Sequence, residues 1–395
     1  MNIDLPLALL GNISPAEFMR DYWQRKPLLI RQAIPGFKPS LSIADIKDLV
    51  KREEVESRLI WHDDEGWHMK TGPFNRLPGA RKPDWTILAQ NVDAHDDNMA
   101  ALMHQFRFIS DARLDDAMIS IATEGGGVGP HFDSYDVFLL QAVGQRRWRI
   151  STQDDLSLVP GLPLKILANF QAEQEFVLEP GDMLYLPPHV AHDGVAQGDC
   201  MTISIGFRAP TAGALARGLL DAAGDQVMAL LGDDSGLYAN PPLPGPVLSD
   251  TYKDRGALAT THPAQLPESL VDAALAAVQR VTFTPELAER FLGQWLTEPS
   301  RAAWFEAGDH SLDLGAGLPT QGRFVLDRCT RMMYRGTSLF INGEVAPLLA
   351  QGWLIRLADE RGLTAAELNR AQPADDAVGM LTAWLDDGWL QYLPE

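Results

Sequence analysis

The sequence predicts a mainly β domain, then an all-α region and a C-terminal α+β module. Three patterns along the 395 residues support this division. Residues 57–210 contain many short β-type runs between Gly, Pro and Asp turns, which is typical of a sandwich or barrel. Residues 211–298 carry apolar side chains at helical spacing, and residues 310–395 mix both patterns. We therefore expect domains at 1–209, 210–305 and 306–395.

The mainly β domain begins with a helix signal. Ser14, Pro15 and Glu17 suit the N-cap, the first helical position and a capping box. Pro27 ends this helix, and an apolar strand follows at 28–30. Further strands are predicted at 137–143, 147–150, 183–186 and 201–205. Gly144 and Gln145 predict a turn, so that Arg146 would begin a returning strand.

The second half predicts helices first. One covers 211–232, and residues 263–298 hold two more with a break at Thr284-Pro285, while the proline-rich 240–246 is a stiff connector. The C-terminal module shows strands around 323–334 and 338–341, a turn at Asn342-Gly343, and helices near 346–358, 364–370 and 376–385. A strand-and-helix module of this size resembles a winged helix.

Composition and charge exclude several classes of protein. The chain is 46% apolar, as in ordinary globular proteins, and its apolar runs fall far short of the ~20 residues of a membrane span. Leu5–Leu10 is short, contains a proline and lacks a basic flank, so we do not expect a signal peptide. Two distant cysteines, Cys200 and Cys329, suit a reducing cytoplasm.

The net charge of −20 disfavours nucleic acid and anionic membranes and favours a basic protein partner. Residues 310–395 carry eleven acidic against seven basic residues. Because a DNA-binding module should be basic on at least one face, we expect this module to contact protein or to support a dimer, and not to bind DNA.

A His-x-Asp pair at His131 and Asp133 is the strongest chemical signal. The same pattern at His62-Asp63-Asp64 and His95-Asp96-Asp97 lies in polar, acidic surroundings that predict exposed turns. Residues i and i+2 of a strand share a face, so His131 and Asp133 can bind one ion. Downstream, a turn, a buried strand and two prolines lead to His189 and His192, and we favour His192 as the third ligand.

Two histidines and one carboxylate suit Fe(II) with open positions, and three-ligand catalytic zinc is the alternative. Arg146 is predicted to hold a carboxylate of an oxo-acid cosubstrate through its guanidinium fork, unless it simply faces solvent. Ser120 can add a hydroxyl to that site or bond to backbone instead. The glycine run 125–127 is most simply a flexible lip before the metal segment.

Segments 118–150 and 178–208, together with the opening run Tyr22–Ile30, resemble the Jumonji-C oxygenases of the cupin superfamily. In particular they resemble the bacterial ribosomal oxygenases that hydroxylate an arginine of a large-subunit ribosomal protein. The resemblance implies a double-stranded β-helix, a helical dimerisation region and a winged-helix-like end.

By this resemblance, His131, Asp133 and His192 would bind Fe(II), and Arg146 with Ser120 would bind 2-oxoglutarate, with O2 as the other cosubstrate. Arginine at position 146, where many relatives have lysine, matches the bacterial ribosomal branch. The histidine at position 189 departs from the glycine expected there. Tyr135 and Asp136 are candidate contacts to a basic ribosomal protein, and Asp136 has an alternative role in the fold.

Three alternatives remain for the function. The chain could be a Jumonji-type oxygenase of another protein residue, an oxygenase of tRNA, which its acidity disfavours, or a cupin that binds metal without catalysis. The helical region suggests a homodimer, although the same helices can pack within one chain.

Overall fold

The structure is a computed structural model that describes residues 2–79, 82–308, 312 and 314–394. The chain forms two compact units. The first contains Met1–Ala209 with Ser300–Trp304, and the second contains Pro210–Pro299 with Phe305–Glu395. The helices after Pro210 thus belong to the same unit as the C-terminal module, and the finer division at residue 305 stays a prediction.

The first unit is a β-structure with three short helices. The helices are α1 (Pro15–Asp21), α2 (Ile43–Leu49) and α3 (Asp97–His104). The strands are β1 (Leu28–Ile30), β2 (Ser57–Asp63), β3 (Gly66–Thr71), β4 (Trp85–Ala89), β5 (Leu114–Ala122), β6 (Val137–Ser151), β7 (Gln174–Leu178), β8 (Met183–Leu186) and β9 (Ala191–Phe207). They form one sheet in the order β1-β8-β6-β9-β5-β4-β2-β3, and β7 pairs with β6.

The N-terminal segment folds as its sequence predicts. The Ser14 hydroxyl accepts the Glu17 N–H at 3.1 Å, and Pro15 occupies the first helical position of α1. After Pro27, strand β1 pairs antiparallel with β8. Phe18 on α1 is fully buried against Tyr185 of β8, with ring centroids 4.9 Å apart. The segment therefore covers one edge and part of the core of the β-structure.

The predicted turn at Gly144 is wrong, because β6 runs unbroken from Val137 to Ser151. Gly144 has φ +65°, and a Cβ there would lie 2.3 Å from the Asp199 carbonyl oxygen of β9. The pairing with β9 shifts register on both sides of Val143. Gly144 thus makes a β-bulge that bends one long strand, and Arg146 lies on the same strand as the residues before it.

The glycine run is tightly packed and is not the flexible lip that we expected. A Cβ on Gly126 would lie 2.2 Å from the Trp85 carbonyl oxygen, and one on Gly127 would lie 2.6 Å from that of Gly194. These distances are far below van der Waals contact. The glycines allow the segment before His131 to pass directly over the neighbouring backbone.

The second unit combines helices with two small sheets. Its helices are α4 (Ala212–Ala229), α5 (Glu268–Val278), α6 (Pro285–Thr297), α7 (Gly352–Glu360), α8 (Ala365–Ala371) and α9 (Asp375–Asp386). Its strands are β10 (Arg323–Leu326), β11 (Met332–Arg335), β12 (Ser338–Ile341), β13 (Glu344–Val345), β14 (Gly362–Thr364) and β15 (Leu390–Leu393). The sheets have the orders β14-β10-β15 and β11-β12-β13. No described helix is long and apolar enough to cross a membrane.

Helix α6 packs directly on the C-terminal sheets. A Cβ on Gly293 would lie 2.3 Å from the Phe340 ring, so only glycine allows this approach. Gln294 Nε2 donates to the Gly343 carbonyl at 3.0 Å, within the turn predicted at Asn342-Gly343. The contact joins the helical region to the module that follows it.

Candidate metal centre and active site

The backbone brings His131, Asp133 and His192 together. His131 forms an antiparallel bridge with His192 at the start of β9, with N–H···O distances of 2.9 and 2.7 Å. The two imidazole centroids are 4.2 Å apart, and His192 Nε2 lies 3.7 Å from Asp133 Oδ2. One ligand atom from each residue lies within 4.8 Å of the other two, so the three can share one metal ion.

Backbone carbonyls fix the orientation of both imidazoles. His131 Nδ1 lies 2.9 Å from the Gly129 oxygen, and His192 Nδ1 lies 2.9 Å from the Val190 oxygen. Because a carbonyl can only accept, each Nδ1 carries the proton and each Nε2 keeps its lone pair for a metal. Burial, with the neighbouring His131, lowers the pKa of His192 to about 4. His192 is therefore neutral at physiological pH, as a ligand must be.

The competing histidines do not join this cluster. His189 has φ +66°, and its N–H donates to the Asp133 carbonyl at 2.7 Å, so it belongs to the turn before β9. Asp63 Oδ1 lies 2.8 Å from His68 Nε2. Asp96 caps α3 by accepting the Met99 N–H at 2.8 Å. These two contacts are made by the middle residues of the other His-x-Asp patterns, and among the described residues neither pattern belongs to a group of three potential metal ligands.

The three residues line a cavity of about 490 Å³ inside the first unit. Arg146, Ser120 and Tyr135, which the sequence analysis singled out, line the same cavity. Ser120 on β5 is 5% exposed, whereas Tyr135 is 40% exposed. The site is therefore open enough to admit a side chain from another molecule.

Arg146 carries a buried charge without an acidic partner. The residue is 3% exposed, and none of the described carboxylates forms an ion pair with it. Its Nε has no hydrogen-bond partner, and one Nη contacts Cys200 Sγ at 3.5 Å. A buried guanidinium is costly unless it is paired. The arrangement suits a carboxylate of a ligand in the cavity.

Asp136 is not where a substrate contact would be. Its fully buried carboxylate accepts the Tyr185 hydroxyl at 2.7 Å and Gln24 Nε2 at 3.0 Å, and it pairs with Arg113 at 3.3 Å. It does not line the cavity. Asp136 therefore serves the fold, and the expected contact to substrate is replaced by this structural role.

Asp116 is a cavity residue that the sequence analysis missed. It lies on β5 with Met118 and Ser120, and all three line the cavity. Residues two apart on a strand share a face, so the prediction for Ser120 already implied Asp116. Burial, followed by the charges of Asp93 and Asp115, raises the pKa of Asp116 to about 7.

A mainly β domain that gathers two histidines and one aspartate around an open cavity fits the JmjC class of oxygenases. The chain matches the family model of the JmjC domain over residues 101–215 and that of the ROXA-like winged helix over residues 276–391. These matches confirm the predicted fold class.

Over 387 residues the chain is 30% identical to "Ribosomal protein uL16 3-hydroxylase" of Escherichia coli, covering 94% of this chain and 96% of that protein. It is 37% identical over 213 residues to "Probable ribosomal oxygenase" of Haemophilus influenzae, covering 53% of each. The structure of the Escherichia coli ribosomal oxygenase YcfD in complex with cobalt and 2-oxoglutarate aligns with a TM-score of 0.76 and 28% identity, covering 95% of this chain and 97% of that one. The chain belongs to the JmjC ribosomal oxygenase family.

Proposed function

We propose that this protein is an Fe(II)- and 2-oxoglutarate-dependent hydroxylase that acts on an arginine side chain of ribosomal protein uL16. One observation carries the proposal: a two-histidine, one-aspartate cluster and a buried, unpaired arginine line the same cavity. The first group suits a metal with open positions, and the second suits an anionic cosubstrate beside it. The name of the Escherichia coli relative supports uL16 as the substrate.

The donor set fits Fe(II). His131 and His192 would contribute Nε2, and Asp133 would contribute a carboxylate oxygen, which is the set typical of non-haem iron oxygenases. Gly129 and Val190 carbonyls orient the two rings before any metal binds. When iron is bound, it supplies the O2 chemistry that couples conversion of 2-oxoglutarate to succinate and carbon dioxide with hydroxylation of a substrate carbon.

Arg146 would bind the carboxylate of 2-oxoglutarate that is remote from the metal, and Ser120 would add a hydroxyl. The guanidinium is already buried and held above the Trp148 ring, with 5.8 Å from its central carbon to the ring centroid. Because the group is preorganised, binding costs little additional ordering. The relative solved with 2-oxoglutarate supports this choice of cosubstrate.

Asp116 and Tyr135 would receive the target side chain. Both line the cavity, and a carboxylate suits the guanidinium of an arginine. Partial burial, with Asp133 and Asp116 nearby, raises the pKa of Tyr135, so this residue stays a neutral phenol. The chain's net charge of −20 would also attract a basic ribosomal protein. A ribosomal substrate would place the reaction in the cytoplasm.

Helix α5 supports a homodimer. None of its residues is buried, and four apolar side chains, Leu270, Val271, Leu275 and Val278, are 41–59% exposed. An apolar helix face of this kind is typical of an interface between subunits. Leu275→Glu should convert the dimer to a monomer in analytical ultracentrifugation. A wild-type monomer at micromolar concentration would contradict the proposed dimer.

The C-terminal module is proposed to contact protein and not DNA. Helix α9 contains Asp375, Asp376 and Asp386 and no basic residue. An acidic helix of this kind would be repelled by phosphates. If charge reversal of α9 abolishes binding of uL16 measured without DNA, the result would support this role. Salt-sensitive binding of duplex DNA by the wild type would contradict it.

The test of the proposed function is succinate release by anaerobically iron-loaded protein, measured with and without purified uL16. We expect uL16 to stimulate turnover and to gain the mass of one oxygen on a peptide containing the target arginine. His131→Ala should lose both signals. Binding of metal without turnover of 2-oxoglutarate would instead identify a non-catalytic cupin, and turnover stimulated only by another protein would move the substrate assignment.

A further inference from the structure

Asp93 is a buried carboxylate just behind the cavity wall. It lies in a 3-10 turn over Val92–Ala94 and is 8% exposed. Its Oδ1 accepts the N–H of Ala117, the residue next to Asp116, at 2.8 Å. Within the described ranges, no lysine or arginine forms an ion pair with Asp93, and it does not line the cavity. Burial raises the pKa of Asp93 to about 6, and the backbone N–H groups of Ala117 and of Asp93 itself offset only part of the cost of burying this acid.

The Asp116 carboxylate is held in place by backbone. Its Oδ2 accepts the Asn91 N–H at 3.2 Å, and a Cβ on Gly206 would lie 3.2 Å from its Oδ1. The absence of a side chain at Gly206 thus leaves room for this carboxylate. Asn91 precedes the turn that carries Asp93, so the same short segment positions both acids.

The charges around Asp116 are mainly negative. The titratable groups that face it are Asp93, Asp115, Glu56, Tyr135 and the cavity arginine Arg58. Asp115 is paired with Arg208 at 3.2 Å, so its charge is partly compensated. Asp93 has no such compensation, and after burial it is the largest influence that raises the pKa of Asp116.

We propose that Asp93 is a positioning residue for the cationic side chain of the substrate and acts through Asp116. The proposal rests on the proposed function, in which Asp116 receives an arginine. From behind the wall, the negative charge of Asp93 opposes ionisation of Asp116 in the empty site. A guanidinium on Asp116 relieves this repulsion, so binding of the cation is coupled to loss of the proton from Asp116. A neutral side chain relieves nothing, and the acidic pair therefore selects for a permanent cation.

The test compares wild type, Asp93→Asn, Asp116→Asn and the double variant as iron-loaded full-length proteins. Asparagine at position 93 keeps the oxygen that accepts the Ala117 N–H, so the fold should be preserved. The KM for uL16, kcat, the KM for 2-oxoglutarate and the uL16-independent turnover are measured from pH 6 to pH 8.5. The pKa of Asp116 is measured separately by carboxyl-carbon NMR on substrate-free protein.

At pH 8.5 we expect Asp93→Asn to raise the KM for uL16 about three- to tenfold, with kcat and the KM for 2-oxoglutarate unchanged. The pKa of Asp116 should fall, and the midpoint of the KM curve should move to lower pH with it. In the Asp116→Asn background, Asp93→Asn should have no further effect on KM.

Three results would overturn the role of Asp93: an unchanged pKa of Asp116, an unchanged KM, or the same rise in KM without Asp116. Each of these results leaves the proposed function intact, since wild type would still hydroxylate uL16. If wild type shows no turnover with uL16, the proposed function itself fails, and the role of Asp93 fails with it.

Discussion

Two groups of buried charged residues in the first unit differ in one respect. The Asp136 carboxylate has all its partners within the chain. It accepts hydrogen bonds from Tyr185 and Gln24 and forms an ion pair with Arg113. Around Arg146, the guanidinium is also buried and forms no ion pair with any carboxylate that the structure describes. The first group stabilises the fold, whereas the second leaves a charge for a ligand. Both charges are buried, so burial does not separate the structural charge from the functional one. The difference is whether the charged group has a bonding partner within the chain.

The largest effect should come from the metal cluster. His131→Ala removes one of three ligands, so we expect a loss of 2-oxoglutarate turnover of at least about a hundredfold. The melting temperature of the metal-free protein should change little, because the backbone bridge to His192 does not need the side chain. Turnover within about threefold of wild type would contradict the assignment of the ligands. His189→Ala is the matched control, and its turnover should be preserved.

The next effect concerns Arg146. Arg146→Met should raise the KM for 2-oxoglutarate by about 30-fold or more, because a charge-assisted pair of hydrogen bonds is lost. Stability should not fall and should rise by roughly 1 kcal/mol, because an unpaired buried charge is replaced by an apolar chain. Arg147→Met on the same strand, whose side chain does not line the cavity, is the control. A marked loss of stability in Arg146→Met would place Arg146 with the structural charges.

Asp136→Ala should give the opposite pattern. The change leaves the Tyr185 hydroxyl and the Arg113 guanidinium without their acceptor, so the free energy of unfolding should fall by about 3–5 kcal/mol. The KM values of the remaining folded protein should match wild type. Urea denaturation and steady-state kinetics measure the two quantities, and a selective rise in the KM for uL16 would instead restore Asp136 as a substrate contact.

The smallest effect is a pH dependence. The pKa of Asp116 is about 7, and an arginine stays charged throughout the range. The ionised carboxylate binds the cation, so the KM for uL16 should fall about tenfold between pH 6 and pH 8. Asp116→Asn should have a higher KM without this dependence. A KM that rises with pH in wild type would contradict the sign of the coupling.

The sequence predicted the elements well where local signals agree with tertiary packing. Ser14-Pro15 fixed the start of α1, and Thr211 fixed the start of α4, where its hydroxyl accepts the Ala214 N–H at 3.1 Å. The turn predicted at Gly144 was wrong, because a glycine with positive φ is found in β-bulges as well as in turns. Whether Gly144 forms a turn or a bulge depends on its packing against the Asp199 backbone, which is distant in sequence.

The contrast between local signals and contacts distant in sequence also explains which site residues could be predicted. His131, Asp133 and His192 were predictable because residue type and spacing are specific for a facial metal site. Asp116 and Asp136 are both aspartates, and residue type alone does not separate their roles. Only the fold shows that Asp116 lines the cavity and that Asp136 accepts the Tyr185 hydroxyl. Strand periodicity from Ser120 would have found Asp116. No sequence signal would have revealed the partners of Asp136, which come from three separate segments.

Anaerobic calorimetry of 2-oxoglutarate binding to the iron-loaded protein tests most directly whether Arg146 and the metal cluster form one site. We predict one molecule bound per chain, only when iron is present, with binding lost in both His131→Ala and Arg146→Met and preserved in Arg147→Met. Binding that needs neither iron nor Arg146 would contradict the claim that the unpaired arginine and the metal cluster form one site.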